Sequence, residues 1–136
     1  MAGSKNVIEL HGNIIENHCF DCKEPYLKEI NLDDKELPKC PKCGGKIRPS
    51  VVWFGESLPF EALKQAEKVS LEADVFFSIG TSSEVYPAAA LPYFAKNAGA
   101  IIVEVNPNET KLSSAADFVL RGTSATVLPE LVKLLK

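Results

Sequence analysis

Four cysteines form the strongest chemical pattern in this chain of 136 residues. They occur as two Cys-x-x-Cys pairs, Cys19 with Cys22 and Cys40 with Cys43, separated by seventeen residues. Two such turns can arrange four thiolates as a tetrahedron around Zn²⁺, and this spacing is typical of a structural zinc site. Because four protein ligands leave no position for a reacting water, we predict one structural Zn²⁺ per chain and expect the chemistry elsewhere.

Two other uses of these cysteines remain open from the sequence. A secreted domain could join them in two disulfides, and a single Cys-x-x-Cys could be a redox site. Nothing resembling a signal peptide precedes Cys19, which favours a reducing, cytoplasmic location. His18 is adjacent to Cys19 and could compete as a metal ligand, although the four cysteines already complete a set.

His11 is one of two histidines and a candidate general base. An unperturbed imidazole has a pKa near 6.5, so it can exchange a proton around neutral pH. On spacing alone, a packed or surface histidine is the more common case. His11 is therefore a candidate that needs support from its surroundings.

Three polar segments follow apolar runs of strand length. They are Gly80-Thr81-Ser82, Asn106, and residues 121–124. Hydroxyl and main-chain N–H groups at the carboxyl ends of parallel strands can bind phosphate, ribose or purine. Each segment is equally consistent with a plain turn, and no G-x-G-x-x-G motif is present. Together they suggest a nucleotide site.

Strand and helix patterns alternate through most of the chain. Strands are predicted at 7–15, 47–56, 74–80, 100–105 and 117–120; helices are predicted at 59–71, at 87–98, and from about 126 onward through Val127, Leu128, Leu131, Val132 and Leu135. This alternation predicts an α/β fold with a parallel sheet covered by helices on both faces. Apolar strands fit burial of that kind.

The segment 19–46 is polar and too poor in apolar residues to form its own core, so metal binding must replace one. We therefore expect a partial Rossmann-like domain at 1–18 and 47–136, with an inserted zinc-binding module at 19–46.

The composition narrows the classes of partner. The formal net charge is −3, which does not suggest nucleic-acid binding. No apolar run approaches the roughly 20 residues of a membrane span. Four basic residues cluster near the second cysteine pair: Lys39, Lys42, Lys46 and Arg48. A solvated surface is their expected environment, and a local contact with an acidic partner is the alternative.

Five motifs in order carry a resemblance to a known family. They are Val-Ile-Glu-Leu-His-Gly at 7–12, the four cysteines, Arg-Pro-Ser-Val-Val-Trp-Phe-Gly-Glu at 48–56, Ile-Gly-Thr-Ser at 79–82 with Val-Tyr-Pro-Ala-Ala at 85–89, and Val-Glu-Val-Asn at 103–106. From about Asn6 to the end, the chain resembles the sirtuins, the NAD-dependent protein-lysine deacylases, and most closely their bacterial or archaeal type.

The resemblance implies a reaction and a role for each matching residue. NAD⁺ would be the co-substrate, and the products would be nicotinamide, free lysine and O-acyl-ADP-ribose. His11 would be the general base acting through the nicotinamide ribose. The adenosine side of NAD would contact Gly80, Thr81, Ser82, Asn106 and Thr123. The acyl-lysine protein or peptide would contact Val52, a peptide-pairing strand at Phe54, Gly55 and Glu56, and Val85 on the opposite wall.

A sirtuin core is much longer than this chain, and the motifs of its first half are not found here. We therefore expect a C-terminal fragment, or a reading frame that starts at an internal methionine, Met1. Missing strands would leave a sheet edge uncovered, so we expect self-association or pairing with the missing N-terminal half. A non-catalytic zinc-containing module that binds acyl-lysine peptide or nucleotide is the alternative function.

Overall fold

The computed structural model describes residues 3–31, 33 and 36–134. The chain divides into two compact units, Met1–Phe60 and Glu61–Lys136. The predicted start at Met1 and the predicted helix position Leu135 lie outside the described residues. No helix in the described part of the chain is both long enough and apolar enough to cross a membrane.

The first unit contains a small antiparallel sheet. Its strands are β1 (Gly12–Cys19), β2 (Pro25–Tyr26) and β3 (Ile47–Val51), in the order β2-β1-β3. An isolated antiparallel bridge joins Lys39 to Lys46. The sheet and this bridge together connect the segments before and after each cysteine pair.

Strand β1 begins later than the sequence predicted, so the bounds 7–15 are wrong. The main-chain N–H of Gly12 donates to the Glu9 carbonyl at 3.3 Å, closing a turn in front of the strand. The Asn13 side chain then accepts hydrogen bonds from the main-chain N–H groups of Ile15 and Glu16. These local bonds compete with strand pairing, and the register between β1 and β3 shifts between Gly12 and Asn17.

Strand β3 ends at Val51, so the predicted strand over 47–56 is also too long. Residues 53–56 form a β-turn, in which the Glu56 N–H donates to the Trp53 carbonyl at 3.0 Å. Gly55 has φ +86° at the third position, where a type II turn requires a positive φ. Phe54 and Glu56 therefore lie in a turn rather than in a regular strand.

The second unit contains the α/β part of the chain. Its elements, in order, are α1 (Phe60–Leu71), β4 (Val75–Ile79), a 3₁₀ turn (Ala88–Ala90), α2 (Leu91–Asn97), β5 (Ile101–Val105), β6 (Phe118–Leu120) and α3 (Ser124–Leu134). The strands form a parallel sheet in the order β4-β5-β6. The predicted α/β class with a parallel sheet is confirmed.

Helix α2 packs against β4 and β5 and closes the core of this unit. Ala95, Ala100, Ile102 and Leu112 form its buried cluster. The predicted helix at 87–98 divides into a 3₁₀ turn and a shorter α-helix, with a proline in the first turn of α2. Strand β4 is only half buried, because Val75, Phe77 and Ile79 are each at least 40% exposed.

Candidate functional site: a four-cysteine centre, an exposed histidine and a nucleotide-type cleft

The four cysteines come together in the first unit, as their spacing predicted. Their Sγ atoms all lie within 4.8 Å of one another. Two of the separations are 3.5 Å, between Cys19 and Cys43, and 3.6 Å, between Cys22 and Cys40. Four sulfurs bound to Zn²⁺ at 2.3 Å in a tetrahedron would lie about 3.8 Å apart. The thiols are free, so they are spaced for a metal rather than joined in disulfides.

The two cysteine turns have the same backbone geometry. In each, the residue after the second cysteine has a positive φ, 61° at Lys23 and 77° at Gly44. Its N–H donates to the carbonyl of the first cysteine, at 3.1 Å in the first turn and 2.8 Å in the second. Main-chain N–H groups also point at sulfur, from Cys22 to Cys19 and from Gly45 to Cys43. Such donors stabilise thiolate, the form of cysteine that binds metal.

The thiols differ in how readily they ionise. The main-chain N–H of Cys22 is the largest influence on Cys19, and it helps to lower the pKa of that thiol to about 7. The N–H of Gly45 lowers the pKa of Cys43, but the neighbouring Cys22 and Cys19 outweigh it and raise the pKa to about 12. Four clustered thiolates repel one another, and a divalent cation would offset that repulsion.

His11 is exposed in the first unit, immediately before β1. Its carbonyl accepts a hydrogen bond from the Val52 N–H at 2.9 Å. Gly12 makes this approach possible, because a Cβ at that position would lie 1.8 Å from the Ser50 carbonyl oxygen. The structure therefore brings together the predicted base and the first residue of the predicted peptide-binding segment.

Arg48 and Glu56 interact in a way that the sequence did not reveal. The Arg48 side chain is 6% exposed, which corrects the prediction that it belongs to a solvated basic surface. It forms an ion pair with Glu56, donates to the Val51 carbonyl at 2.6 Å and stacks on Trp53. Hydrogen bonds from Arg48 and from the Trp53 N–H lower the pKa of Glu56 to about 2.

Other polar side chains near the cysteines have separate partners. Lys42 forms an exposed ion pair with Glu24 at 2.6 Å. The Nδ1 atom of His18 lies 2.9 Å from the Ser50 hydroxyl, and His18 is not part of the four-thiol group. Burial and the nearby Arg48 lower the pKa of His18.

In the second unit, the predicted segments at the strand ends do converge. The Gly80 N–H donates to the Val105 carbonyl at 2.9 Å, directly after β4. The Asn106 side chain donates from Nδ2 to the Thr81 carbonyl at 2.8 Å, which ties the end of β5 to the end of β4. The Asn106 N–H donates to the Leu120 carbonyl at the end of β6. Asn106 thus joins all three strand ends.

An open cleft of about 710 Å³ lies at these strand ends. Its lining is mostly polar and includes three of the predicted cofactor residues, Gly80, Ser82 and Asn106. The remaining lining residues were not identified from the sequence: Glu84, Asn108, Glu109, Thr110 and Lys111. Thr81 and Ser82 are exposed, so their hydroxyls are accessible.

Glu104 and Arg121 hold the loop beside this cleft. Glu104 is 1% exposed and accepts hydrogen bonds from Thr110, from Ser113 at 2.6 Å and from Arg121 at 3.1 Å. Arg121 also donates to the Asn108 carbonyl at 2.7 Å. An acidic residue inside the apolar run 101–105 was the sequence signal for this cluster, since a buried carboxylate needs partners.

Two further predicted contacts lie at element starts. Val85 is 50% exposed, and its carbonyl accepts the Ala89 N–H at 2.9 Å. Thr123 precedes α3, where its carbonyl accepts the N–H groups of Thr126 and Val127. Neither geometry tests whether these residues contact a ligand, so their roles stay predictions.

The chain thus combines a four-thiol group that could hold a metal ion with a parallel α/β unit that has a polar cleft at its strand ends. A family model described as the Sir2 family matches residues 1–87. An NAD-dependent protein deacylase of Pyrococcus furiosus is 51% identical over 137 residues, covering 97% of this chain and 55% of the relative. A second, of Aquifex aeolicus, is 48% identical and covers 99% of this chain and 56% of the relative.

Solved structures agree with these sequence comparisons. The crystal structure of a Sir2 homolog–NAD complex has a TM-score of 0.93 and 46% identity, over 98% of this chain and 52% of that chain. The structure of Sir2Tm bound to a propionylated peptide has a TM-score of 0.88 and 36% identity, over 98% of this chain and 57% of that chain. The chain belongs to the Sir2 family, and it spans about half the length of the curated relatives it matches.

Proposed function

We propose that this chain supplies part of the active site of an NAD-dependent protein-lysine deacylase, an enzyme of the acyltransferase class. The reaction would transfer the acyl group of a modified lysine to ADP-ribose and release nicotinamide. The names of the relatives support this proposal. Because the chain spans about half of those relatives, we propose that turnover needs the remaining half as well.

The observation that carries the proposal is the hydrogen bond from the Val52 N–H to the His11 carbonyl. It joins a residue that can move a proton to the segment that we propose binds acyl-lysine peptide. His11 is exposed, so its ring is open to a substrate. In the proposed mechanism, the acyl oxygen of the modified lysine displaces nicotinamide from C1′ of the ribose. His11 would then take the proton of a ribose hydroxyl, whose oxygen attacks the carbonyl carbon of the acyl group, and lysine would leave as the free amine.

We propose that the peptide lies along Val52, Phe54, Gly55 and Glu56, and we propose Val85 separately as a further peptide contact. Phe54 is 97% exposed, and no hydrogen bond among the described residues engages its main chain. Free main-chain groups of this kind can pair with an extended peptide. The proposed partner is an acyl-lysine protein or peptide, with no nucleic acid or membrane involved.

We propose that the adenosine half of NAD⁺ binds the cleft at the ends of β4, β5 and β6. Gly80, Thr81, Ser82 and Asn106 would contact it, and Thr123 would contribute from the start of α3. The support is the polar lining and the exposed hydroxyls of Thr81 and Ser82. The carboxyl ends of parallel strands are the usual place for a nucleotide in such sheets.

We propose that the four cysteines hold one structural Zn²⁺. The sulfur spacing fits a tetrahedral ion, and the glycine at 45 supports the fit. A Cβ there would lie 2.1 Å from the Asp21 carboxylate and 3.0 Å from the Cys19 sulfur. Zinc would hold the turns together and take no part in acyl transfer. Metal-binding thiols favour a reducing compartment, and we propose the cytoplasm.

The test is nicotinamide release from NAD⁺ in the presence of an acetyl-lysine peptide. The enzyme would be a chimaera in which the N-terminal half of the Pyrococcus furiosus relative precedes this chain. The variant is His11→Ala, and the matched control is His18→Ala, which removes the other histidine. We expect His11→Ala to lower the rate about 100-fold or more, and His18→Ala to change it little.

A chimaera that folds, binds zinc and releases nicotinamide equally well without His11 would contradict the proposed base. Nicotinamide release that does not require the acetyl-lysine peptide would contradict the proposed transfer of an acyl group from lysine to ADP-ribose. Loss of activity in both histidine variants would indicate a general structural effect.

A further inference from the structure

The turn at residues 53–56 is held by a single buried side chain. Arg48 forms an ion pair with Glu56, with a second contact to the same carboxylate at 3.0 Å. It also donates to the Val51 carbonyl at 2.6 Å, and its guanidinium carbon lies 3.8 Å from the centroid of the Trp53 ring. One side chain of β3 therefore contacts the residues that enter and leave the turn.

Three hydrogen bonds engage the Glu56 carboxylate, whose side chain is 39% exposed. Its Oε2 atom accepts from Arg48 and also from the Trp53 N–H at 2.9 Å. Because Arg48 donates to both of its oxygens, the carboxylate links the end of the turn to strand β3. This use differs from a direct contact between the Glu56 side chain and a peptide.

The arrangement is a costly way to stabilise a turn. Removing the Arg48 guanidinium from water offsets much of its attraction to Glu56, so the pair contributes little net stability. The Nε atom of Arg48 is buried and has no hydrogen-bond partner among the described residues, which adds a further cost. What the pair supplies is a defined geometry, because a planar guanidinium on a carboxylate allows one orientation.

The Arg48–Glu56 pair defines the geometry of the main chain on the exposed side of the turn. Phe54, at the centre of the turn, is 97% exposed. The N–H of Val52, the residue before the turn, donates to the His11 carbonyl. A peptide that pairs with this segment would gain affinity if the main chain were already held in place. The clamp would remove the entropy cost of ordering residues 52–56 at the moment of binding.

We propose that Arg48 and Glu56 form a clamp that pre-organises residues 52–56 for the acyl-lysine peptide, with Glu56 acting as a positioning residue rather than a contact. This inference rests on the proposed peptide site. It assigns to Arg48 a role in substrate affinity, and it reassigns the Glu56 side chain from binding the peptide to shaping its binding segment.

The test is a double-mutant cycle on the zinc-loaded chain with Arg48→Lys, Glu56→Gln and both changes together. Lysine keeps the charge but loses the two-point contact and the stacking on Trp53. Affinity for a fluorescein-labelled acetyl-lysine peptide is measured by anisotropy. We expect each single variant to bind about tenfold more weakly and the double variant to be no weaker than either, since they act as one unit.

Two controls separate positioning from loss of folding. Glu24→Gln removes a carboxylate from an exposed ion pair in the same unit, and we expect unchanged peptide affinity. Zinc content should stay the same in every variant. Trp53 is the only tryptophan, so its fluorescence reports the loosened turn in the Arg48 and Glu56 variants without any peptide.

The outcomes separate the clamp from the peptide site. If the unaltered chain holds zinc but does not bind the peptide, the proposed peptide site fails and the clamp fails with it. If the chain binds and the single variants bind equally well, the clamp alone is overturned. If the two single losses multiply in the double variant, Glu56 contacts the peptide independently of Arg48, and the clamp is again overturned.

Discussion

Gly12 is the residue that sets the position of His11. Its φ is +65°, and a Cβ there would lie 1.8 Å from the Ser50 carbonyl oxygen and 3.0 Å from the carbonyl carbon. The Gly12→Ala variant must therefore both strain the backbone and push β1 away from β3. We expect the free energy of unfolding of the zinc-loaded chain to fall by about 3 kcal/mol, measured by urea unfolding.

Gly44→Ala is the matched control for Gly12→Ala. Gly44 also has a positive φ, +77°, but no atom of the described residues lies within 4 Å of a Cβ there. The equivalent position in the first cysteine turn is Lys23, which carries a side chain at φ 61°. We expect a loss of about 1 kcal/mol from strain alone. Equal losses in the two variants would show that close packing at Gly12 is not the cause.

Glu104 makes a pH-dependent contribution to the second unit. Burial raises the pKa of this carboxyl, but hydrogen bonds from Ser113, Thr110 and Arg121 outweigh it, so the pKa lies below the usual 4.5. A lowered pKa stabilises the fold above pH 4.5 and loses that contribution as the pH falls below it. We expect Glu104→Gln to cost about 2 kcal/mol at pH 7 and much less at pH 3.

Urea unfolding at both pH values measures this difference. The matched control is Glu130→Gln, which removes a carboxylate from an exposed ion pair with Lys133 in the same unit. It should change stability little at either pH. A Glu104→Gln cost that is the same at pH 3 and pH 7 would contradict the assigned role of the ionised carboxylate.

At the scale of elements, the sequence predicted the features that a short stretch of residues specifies. Apolar runs marked β4, β5 and β6, and cysteine spacing marked the metal centre, because each signal lies within a few residues. Strand β3 ends before the turn in which Gly55 has a positive φ. The apolar residues around that turn led to the prediction of a longer strand. Arg48 was misassigned because its burial comes from Trp53 and Glu56, and no periodicity links these three.

The candidate site, like the fold, was predicted in part from the sequence. The three polar segments after the strands were located because parallel strands place their carboxyl ends together. The loop that lines the cleft beside them was missed, since Asn108 and Lys111 carry no motif. Glu104 was not singled out from the sequence, and its partners Thr110, Ser113 and Arg121 are up to 17 residues away.

The cysteine turns are the element most dependent on a bound ion. Cys40→Ala removes one of two buried sulfurs of the centre and leaves three ligands. We expect the chain to lose its zinc and the first unit to unfold, because zinc modules of this size fold with their metal. Zinc is measured by atomic absorption and folding by circular dichroism. Pro41→Ala, in the same turn, should retain one zinc; full zinc content in Cys40→Ala would contradict the structural role.

At the scale of the whole molecule, we expect an apolar surface on β4 to favour association with another chain. Val75, Phe77 and Ile79 share one face of the strand and are 46%, 43% and 40% exposed. Exposed apolar side chains beside a strand favour pairing with another chain. We expect the chain to self-associate with rising concentration in sedimentation velocity, and Phe77→Ser to reduce this association. A monodisperse monomer at high concentration would contradict this expectation.

Nicotinamide release from NAD⁺ by the zinc-loaded chain alone, with an acetyl-lysine peptide present, is the most direct test of the proposed function. Because the chain spans about half the length of its relatives, we propose that the rest of a longer protein is needed to complete the active site. This proposal predicts no release from a folded chain that carries one zinc. Release that disappears in His11→Ala would contradict it, because these 136 residues would then form a working site by themselves.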